Sequence, residues 1–518
     1  MFIFTLICYI LSFSWHYYQL CLAFANSLSF HDADYVGMQE VIRSLGRRDF
    51  YLSRYYSNSG EGSYLSHHFA PALVLFLPFE YIMPDRWGYA IGILFYYLFG
   101  ILLWASILWK KFNAQFLTIN DDSHYKKLSM DVENKSQNYI HQIPIFFLII
   151  FCLFNSVYLY RLGTSFHFEV LVIPLSALFF ASYERWKHDK TKKRLTSVIL
   201  SLTFFLMIKE DISIYLMLFL IPFICKESFD LSKQKIFYKI KFQFSKFYTS
   251  PVTLIFIFCL LYSSFTMFVL PYFFHPTDRM TWIGALTQNY GEEYKKVTGF
   301  SKTIRIFFEL MISAGFGFVS NVNIFIGLTS IYLTHVFSER PWHHEVYSYY
   351  CYTIVPFLLY SSYLWIKEKK NIPHWMALVI LALVVWKNSQ DTNYPLNPTQ
   401  VQNRMMVNSG IQTKGNLKNQ IKEELDEQMQ TLVVSKDAYL FSQYNLSFFL
   451  PKENALLPLS KLELQDKLCQ KKECYLILAP KLTFDILVTE KKLKTISENI
   501  HNGNKLYQGE MIEIWKLN

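Results

Sequence analysis

The feature that most constrains this chain is a succession of apolar runs separated by short charged segments. Residues 1–25 hold no Asp, Glu, Lys or Arg. Further runs cover 86–109, 143–160, 168–186, 195–208, 212–225, 251–274, 306–320, 322–337, 346–366 and 372–388. In a bilayer every backbone N–H and C=O must be satisfied internally, so such runs fold as helices. Composition agrees: 17% of the residues are charged, against roughly 25% in an average soluble protein.

The working count is eleven spans. Several are shorter than the roughly 20 residues a simple span needs, and the pairs 195–208/212–225 and 306–320/322–337 can each be one broken or re-entrant unit. Ala23-Phe24-Ala25 resembles a signal-peptidase site, but no basic segment precedes the run, which is long enough to span. It reads as the first transmembrane helix. The expected fold is an all-α polytopic membrane protein over 1–388, followed by a small α/β domain over 389–518.

The net charge of +10 would suggest nucleic acid in a soluble protein. Here the excess sits in short loops beside apolar runs and reads as a positive-inside signal instead. Segments 110–142, 187–194, 226–250 and 367–370 carry 19 Lys and Arg in 70 positions, while the alternate segments carry 13 in 115. The asymmetry places the N-terminus in the cytoplasm, and the segment 24–86 and the tail outside. The run 69–83 holds Pro71, Pro78 and Glu80 and is short, so it reads as an interfacial or re-entrant helix within that first outer loop. Tyr35, Met38, Ile42 and Leu45 recur at helical spacing with Gln39, Glu40 and Arg43 between them, a second interfacial pattern.

The tail is Lys/Glu/Gln/Asn-rich. Residues 416–431 read as a polar helix, 432–436 and 475–479 as strands, Asn502-Gly503-Asn504 as a turn, and 505–517 as extended chain. Cys469 and Cys474 lie close together in a polar region and can pair if the tail is outside the cytoplasm. The chain has no internal repeat and no glycine-rich phosphate loop, which argues against an ATP-driven pump.

Charged residues at the ends of apolar runs are the candidates for chemistry. His31-Asp32-Ala33-Asp34-Tyr35 follows the first run; Asp32 or Asp34 can act as a general base, or cap the helix that follows. His67 and His68 open the 69–83 segment, where a His can hold phosphate or simply lie on the surface. His167 and Glu169 sit in a short turn, where Glu169 is either paired or hydrated. Lys209-Glu210-Asp211 interrupts an otherwise apolar stretch; the lysine can neutralise a phosphate while the carboxylates hold it or a cation, and the plain alternative is a hydrated turn. Arg340 lies in a charged segment followed by Tyr347, Tyr349, Tyr350 and Tyr352, a pattern that suits sugar stacking or an interfacial aromatic belt.

The order of these motifs resembles the bacterial membrane family called domain of unknown function 2079, itself similar to the GT-C glycosyltransferases that use lipid-linked sugars. The resemblance covers roughly residues 24–480. His68 and Pro71 match its H-x-x-P motif, His167 and Glu169 its F-H-x-E motif, and Lys209, Glu210 and Asp211 its K-E-D motif. The acidic motif departs from the pattern, an Asp followed six residues later by Gln: Gln39 follows Asp34 by five and Asp32 by seven. The base is therefore Asp34 or Asp32.

The resemblance implies an inverting transfer of a sugar from a polyprenyl-phosphate donor at the outer face of the cytoplasmic membrane. Lys209, with His68 or Arg340, would offset the phosphate charge, and His167, Glu169, Glu210 and Asp211 would complete the binding site. A divalent cation is admitted but not required. Expected partners are the lipid-linked donor and membrane lipids, not nucleic acid. The rival readings are a transporter or flippase and a non-catalytic envelope assembly protein.

Overall fold

A computed structural model of the chain describes residues 2–27, 33–46, 51–53, 56, 62–66, 68–83, 87–116, 154, 156–234, 237–242, 244–270, 273, 321–338, 348–368, 379, 382, 417–432, 434–435, 437–443, 446, 449–451, 454–470, 472–481, 496, 500 and 503–517. By packing, the chain divides into two units. One comprises Met1–Leu6, Ile93–Val269 and Thr281–Tyr394, the other Ile7–Gly92, Leu270–Met280 and Pro395–Asn518.

The first unit is helical where the apolar runs lead one to expect it. Its helices include Val157–Thr164, Val172–His188, Lys192–Leu206, Ile212–Ser228, Pro251–Ser264, Val322–Val336 and Val355–Glu368. Their starts follow local chemistry. Ser156, Ser250 and Asn321 each accept a backbone N–H with the side chain, and Pro251 fills a first-turn position whose N–H needs no partner. The expected spans at 306–320, nearly all of 372–388 and most of 143–156 lie outside the described residues.

The helices are apolar on both faces. Lys192–Leu206 buries Val198, Leu202, Phe205 and Leu206, yet exposes Ile199, Leu200 and Phe204. The stretch Pro251–Val269 buries Ile255 and Cys259 and exposes Leu254, Leu260, Leu261, Phe265 and Phe268. A water-facing surface helix would be polar outward, whereas hydrocarbon tolerates this pattern. Among the described residues, Gly88–Ala114 and Pro251–Val269 have the length and hydropathy to cross a membrane.

With little hydrophobic drive between helices in lipid, close packing and internal polar ties hold them together. The Trp104 indole N–H donates to the Ile173 carbonyl at 3.0 Å. Glu184 is buried on Val172–His188 and accepts from the Tyr360 hydroxyl at 2.7 Å and the Lys367 ammonium at 2.6 Å, both on Val355–Glu368. Strands β1 (Phe229–Gln234) and β2 (Phe237–Phe242) form an antiparallel ribbon in the basic 226–250 segment. That ribbon has no counterpart among the elements expected from sequence.

The second unit holds the helix Phe2–Ser27 from Ile7 onward, the helix Ala33–Gly46, and the 69–83 segment. That segment is helical as expected, a 3-10 turn at Pro71–Phe76 running into Leu77–Ile82. The tail supplies a helix at Leu417–Thr431 and strands β3 (Tyr439–Ser442), β4 (Ala455–Pro458), β5 (Cys474–Leu478), β6 (Gly503–Gln508) and β7 (Glu513–Leu517). The sheet order is β4-β3-β5-β7-β6; the first three strands are parallel, and β7 runs antiparallel to β5 and β6. Tyr439, Phe441, Leu457, Leu468, Leu476 and Leu517 form its core. Cys469 and Cys474 are disulfide-bonded.

Three tail expectations need correction. The described residues of 432–436, Leu432, Val434 and Ser435, are not in a strand: Leu432 N still donates to Gln428 O, and the strand begins at Tyr439 where the residues become continuously buried. The 505–517 stretch is a hairpin rather than one extended run. Gly509 N bonds Ile512 O across its turn, and the Glu424 carboxylate accepts the N–H groups of Met511 and Ile512. Gly503 and Asn504 belong to β6, not to a turn.

Gly327 sets the approach of Val322–Val336 to Ile212–Ser228, because a Cβ there would lie 2.8 Å from the Phe219 carbonyl oxygen. Backbone cannot retreat as a side-chain tip can. Gly327→Val should therefore destabilise the protein by about 1–3 kcal/mol through overpacking. A fall in the thermal unfolding midpoint of the purified protein is the check; an unchanged midpoint would mean the two helices can part at no cost.

Candidate functional site

In the first unit, three short non-helical or 3-10 segments bring the charged motifs together. Lys209, Glu210 and Asp211 occupy the turn between Lys192–Leu206 and Ile212–Ser228. The Ser213 hydroxyl donates to Glu210 O at 2.7 Å and shares a 2.6 Å hydrogen bond with the Ser263 hydroxyl, which anchors the turn to Pro251–Ser264. His167 and Glu169 stand at the start of a 3-10 turn, Phe168–Leu171, which feeds Val172–His188. Phe166 just before it takes a φ of 57°. That left-handed conformation is unfavourable for a bulky residue and marks a backbone held by its surroundings. Tyr352 comes from a third 3-10 segment, Ser348–Thr353.

The Lys209 ammonium lies 3.1 Å from Glu169 Oε1, with both side chains buried. Glu169 Oε2 faces His167 Nδ1 at 3.5 Å. The ammonium also sits over the Tyr352 ring, 4.9 Å from its centroid, a cation–π contact. The Tyr352 hydroxyl donates to Asp211 Oδ2. Burial alone disfavours the lysine charge, but Glu169, Asp211 and Glu210 outweigh that and hold its pKa above the ordinary value. A raised lysine pKa means that the ammonium, and the stability it confers, persists below the ordinary value of about 10.4 and is lost only as pH climbs through the higher folded value.

Around this cluster lie aromatic and hydroxyl groups. Tyr215 meets Tyr352 edge-on at 6.4 Å and stacks on the His335 ring at 6.1 Å. His335 Nε2 lies 2.8 Å from the Thr353 hydroxyl. Such an arrangement offers a fixed cation, carboxylates that can accept from hydroxyl groups, and an aromatic wall. Among the described residues, no group of three or more His, Cys, Asp and Glu side chains is arranged to hold a metal.

Of the expected site residues, the structure gathers His167, Glu169, Lys209 and Asp211, with Glu210 half-buried on the same turn. Glu169 and Lys209 are not hydrated: they are 1% and 6% exposed and paired with each other, while Glu210 and Asp211 are half-buried. Asp32, Arg340 and His67 lie outside the described residues, as does the side chain of Asp34. Asp34 opens the helix Ala33–Gly46 in the second unit. There His68 is half-buried, its ring edge-on to Tyr64 at 6.0 Å.

Tyr352, Tyr215 and His335 were not singled out as site residues from sequence. Tyr352 stands among tyrosines whose pattern suits an interfacial belt or sugar stacking, and it is 2% exposed and bonded to Asp211. The usable signal for His335 was a titratable ring inside the apolar run 322–337.

Residues 37–508 match the family model described as "Predicted membrane protein (DUF2079)". No curated protein matches. Among solved structures, the chain is similar to one titled "Crystal Structure of ArnT from Cupriavidus metallidurans bound to Undecaprenyl phosphate", at 8% sequence identity and a TM-score of 0.49, over 97% of this chain and 98% of that one. At that identity and score the likeness carries no weight on fold or activity.

Removing one partner of a buried ion pair strands the other charge. Lys209→Met alone and Glu169→Gln alone should each destabilise the protein by about 3–5 kcal/mol, and the double variant by clearly less than their sum. Chemical unfolding of the four proteins in detergent closes the cycle. Additive losses would mean that the two charges do not depend on each other.

Proposed function

Because the chain belongs to the DUF2079 family of predicted membrane proteins, we propose that it is an integral-membrane glycosyltransferase that takes a sugar from a polyprenyl-phosphate donor at the outer face of the cytoplasmic membrane. The observation that carries this reading is the Lys209 ammonium, buried against Glu169 and over Tyr352 in a turn between apolar helices. A lipid-linked donor keeps its tail in the bilayer and presents its phosphate at the ends of the helices. A cation already fixed there, with no solvent to reorganise, stabilises charge that develops on a leaving phosphate. Asp211, Glu210 and the Tyr352 phenol supply groups for sugar hydroxyls, and His167 orients Glu169. Asp34 or Asp32 takes the acceptor proton; His68 and Arg340 assist with phosphate.

A transporter is the second reading, favoured by the burial of an ion pair within a helical unit. The two readings part on chemistry. Lys209→Ala should weaken binding of polyprenyl phosphate in nanodiscs at least tenfold, while Asp34→Asn should leave binding intact and abolish transfer. Loss of neither property in either variant would remove the glycosyltransferase reading. Uptake of a polar solute that depends on Lys209, without any transfer, would establish the other.

For topology, we propose eleven spans with 110–142, 187–194 and 226–250 inside and 24–86 and 389–518 outside. The Lys/Arg asymmetry supports this, as does the Cys469–Cys474 bond, which suits an oxidising compartment. Single cysteines placed in these segments should label from the matching side of intact cells. Labelling of the tail from the cytoplasm alone would overturn the scheme.

A further inference from the structure

The helix Ala33–Gly46 has the pattern of a surface helix, yet its polar side is buried: Gln39 is 0% and Glu40 3% exposed. Its polar groups reach two other elements of the same unit. The Gln39 amide donates to Glu80 Oε1 at 3.0 Å, and Arg43 Nε donates to Glu80 Oε2 at 2.9 Å, tying the helix to Leu77–Ile82. At its end, Gly46 leaves room for the Tyr81 hydroxyl, which would lie 1.9 Å from a Cβ. Glu40 points elsewhere. Its Oε1 accepts the N–H of Leu456 at 3.0 Å, across 416 positions of sequence.

Leu456 lies in β4, an edge strand of the tail sheet, which pairs with β3 on one side only. The open side of an edge strand presents backbone groups that need a partner or a cover. The helix provides both. A carboxylate is a strong acceptor for a backbone N–H, and neither group has bulk water to fall back on here.

We propose that the C-terminal domain is a positioning element for the acidic motif: through the Leu456 N–H, its edge strand holds Glu40 and thereby fixes the helix that carries Asp34. Glu40 follows Asp34 by six positions, roughly 9 Å along the helix axis, so it is a positioning residue that does not touch substrate. The proposal rests on the reading of Asp34 or Asp32 as the group that serves the acceptor. It gives the tail a task that needs no catalytic motif of its own. It agrees with residues 7–92 and 395–518 belonging to one packed unit.

The test uses the full chain in nanodiscs, with hydrogen exchange followed in peptides covering 33–46 and 455–458. Glu40→Ala should raise exchange in both peptides about tenfold or more, since both ends of one tie are released. Glu40→Gln keeps an oxygen that can accept the Leu456 N–H and should restore most of the protection. Transfer should fall in the Ala variant through kcat rather than KM and recover in the Gln variant, with polyprenyl-phosphate affinity unchanged in both. Should Glu40→Ala fail to accumulate, Glu40→Asp, shorter by one methylene, gives the same exchange readout. Wild-type exchange in both peptides of the Ala variant, or a Gln variant as loose as the Ala variant, overturns the proposal. Wild-type protein that binds no polyprenyl phosphate would instead sink the glycosyltransferase reading, while the exchange data would still decide the positioning role.

Discussion

The first unit depends on the burial of a single cation. Lys209 stands in a turn that the apolar helices on either side draw out of water, and an unpaired ammonium there would be too costly to keep. Glu169 meets the cost from the start of another helix, and Tyr352 covers it from a third segment. Three short connections thus meet at one buried ion pair. The left-handed backbone at Phe166 stands one residue before His167, which faces Glu169.

The core of this site was legible in the sequence because charge in an apolar context is rare. Lys209-Glu210-Asp211 breaks a long hydrophobic stretch, and His167 and Glu169 sit at the mouth of another. Their partners were harder to read. Tyr352 belongs to a cluster of tyrosines beside charges, and tyrosine suits an interfacial belt as well as a buried hydrogen bond. Only the fold distinguishes them, by setting the Tyr352 hydroxyl against Asp211. Glu80 stood out as a charge in an apolar run, but its partners Gln39 and Arg43 lie about forty positions earlier, beyond the reach of local pattern.

Secondary structure followed the same division. Helices in the apolar runs were readable from sustained hydropathy, and the polar helix at Leu417–Thr431 from its composition. In the tail, Leu432, Val433 and Val434 have strand propensity, yet the preceding helix claims Leu432 by a backbone bond, and the strand forms where Tyr439, Leu440 and Phe441 are all buried. Propensity gave way to packing. The Ala33–Gly46 helix makes the point more sharply. A polar side on an amphipathic helix normally faces water, and here a carboxylate, an amide and a guanidinium are each taken up by a partner inside the protein.

These two polar assemblies differ in kind, and the difference bears on function. The buried face of Ala33–Gly46 joins a helix to its supports through a side-chain pair and a backbone N–H, an arrangement that fixes geometry. The Lys209 cluster joins a cation, carboxylates, an imidazole and a phenol within a few ångströms. The tie between Val172–His188 and Val355–Glu368 in the same unit uses one carboxylate, Glu184, with the phenols of Tyr360 and Tyr363 and the Lys367 ammonium, whereas the Lys209 cluster adds an imidazole and further carboxylates. Low dielectric makes every extra ionisable group costly unless it is satisfied, so an excess of them beyond what packing requires calls for a reason other than stability. Recognition of a charged, hydroxyl-rich headgroup at the ends of membrane helices is a reason of that kind.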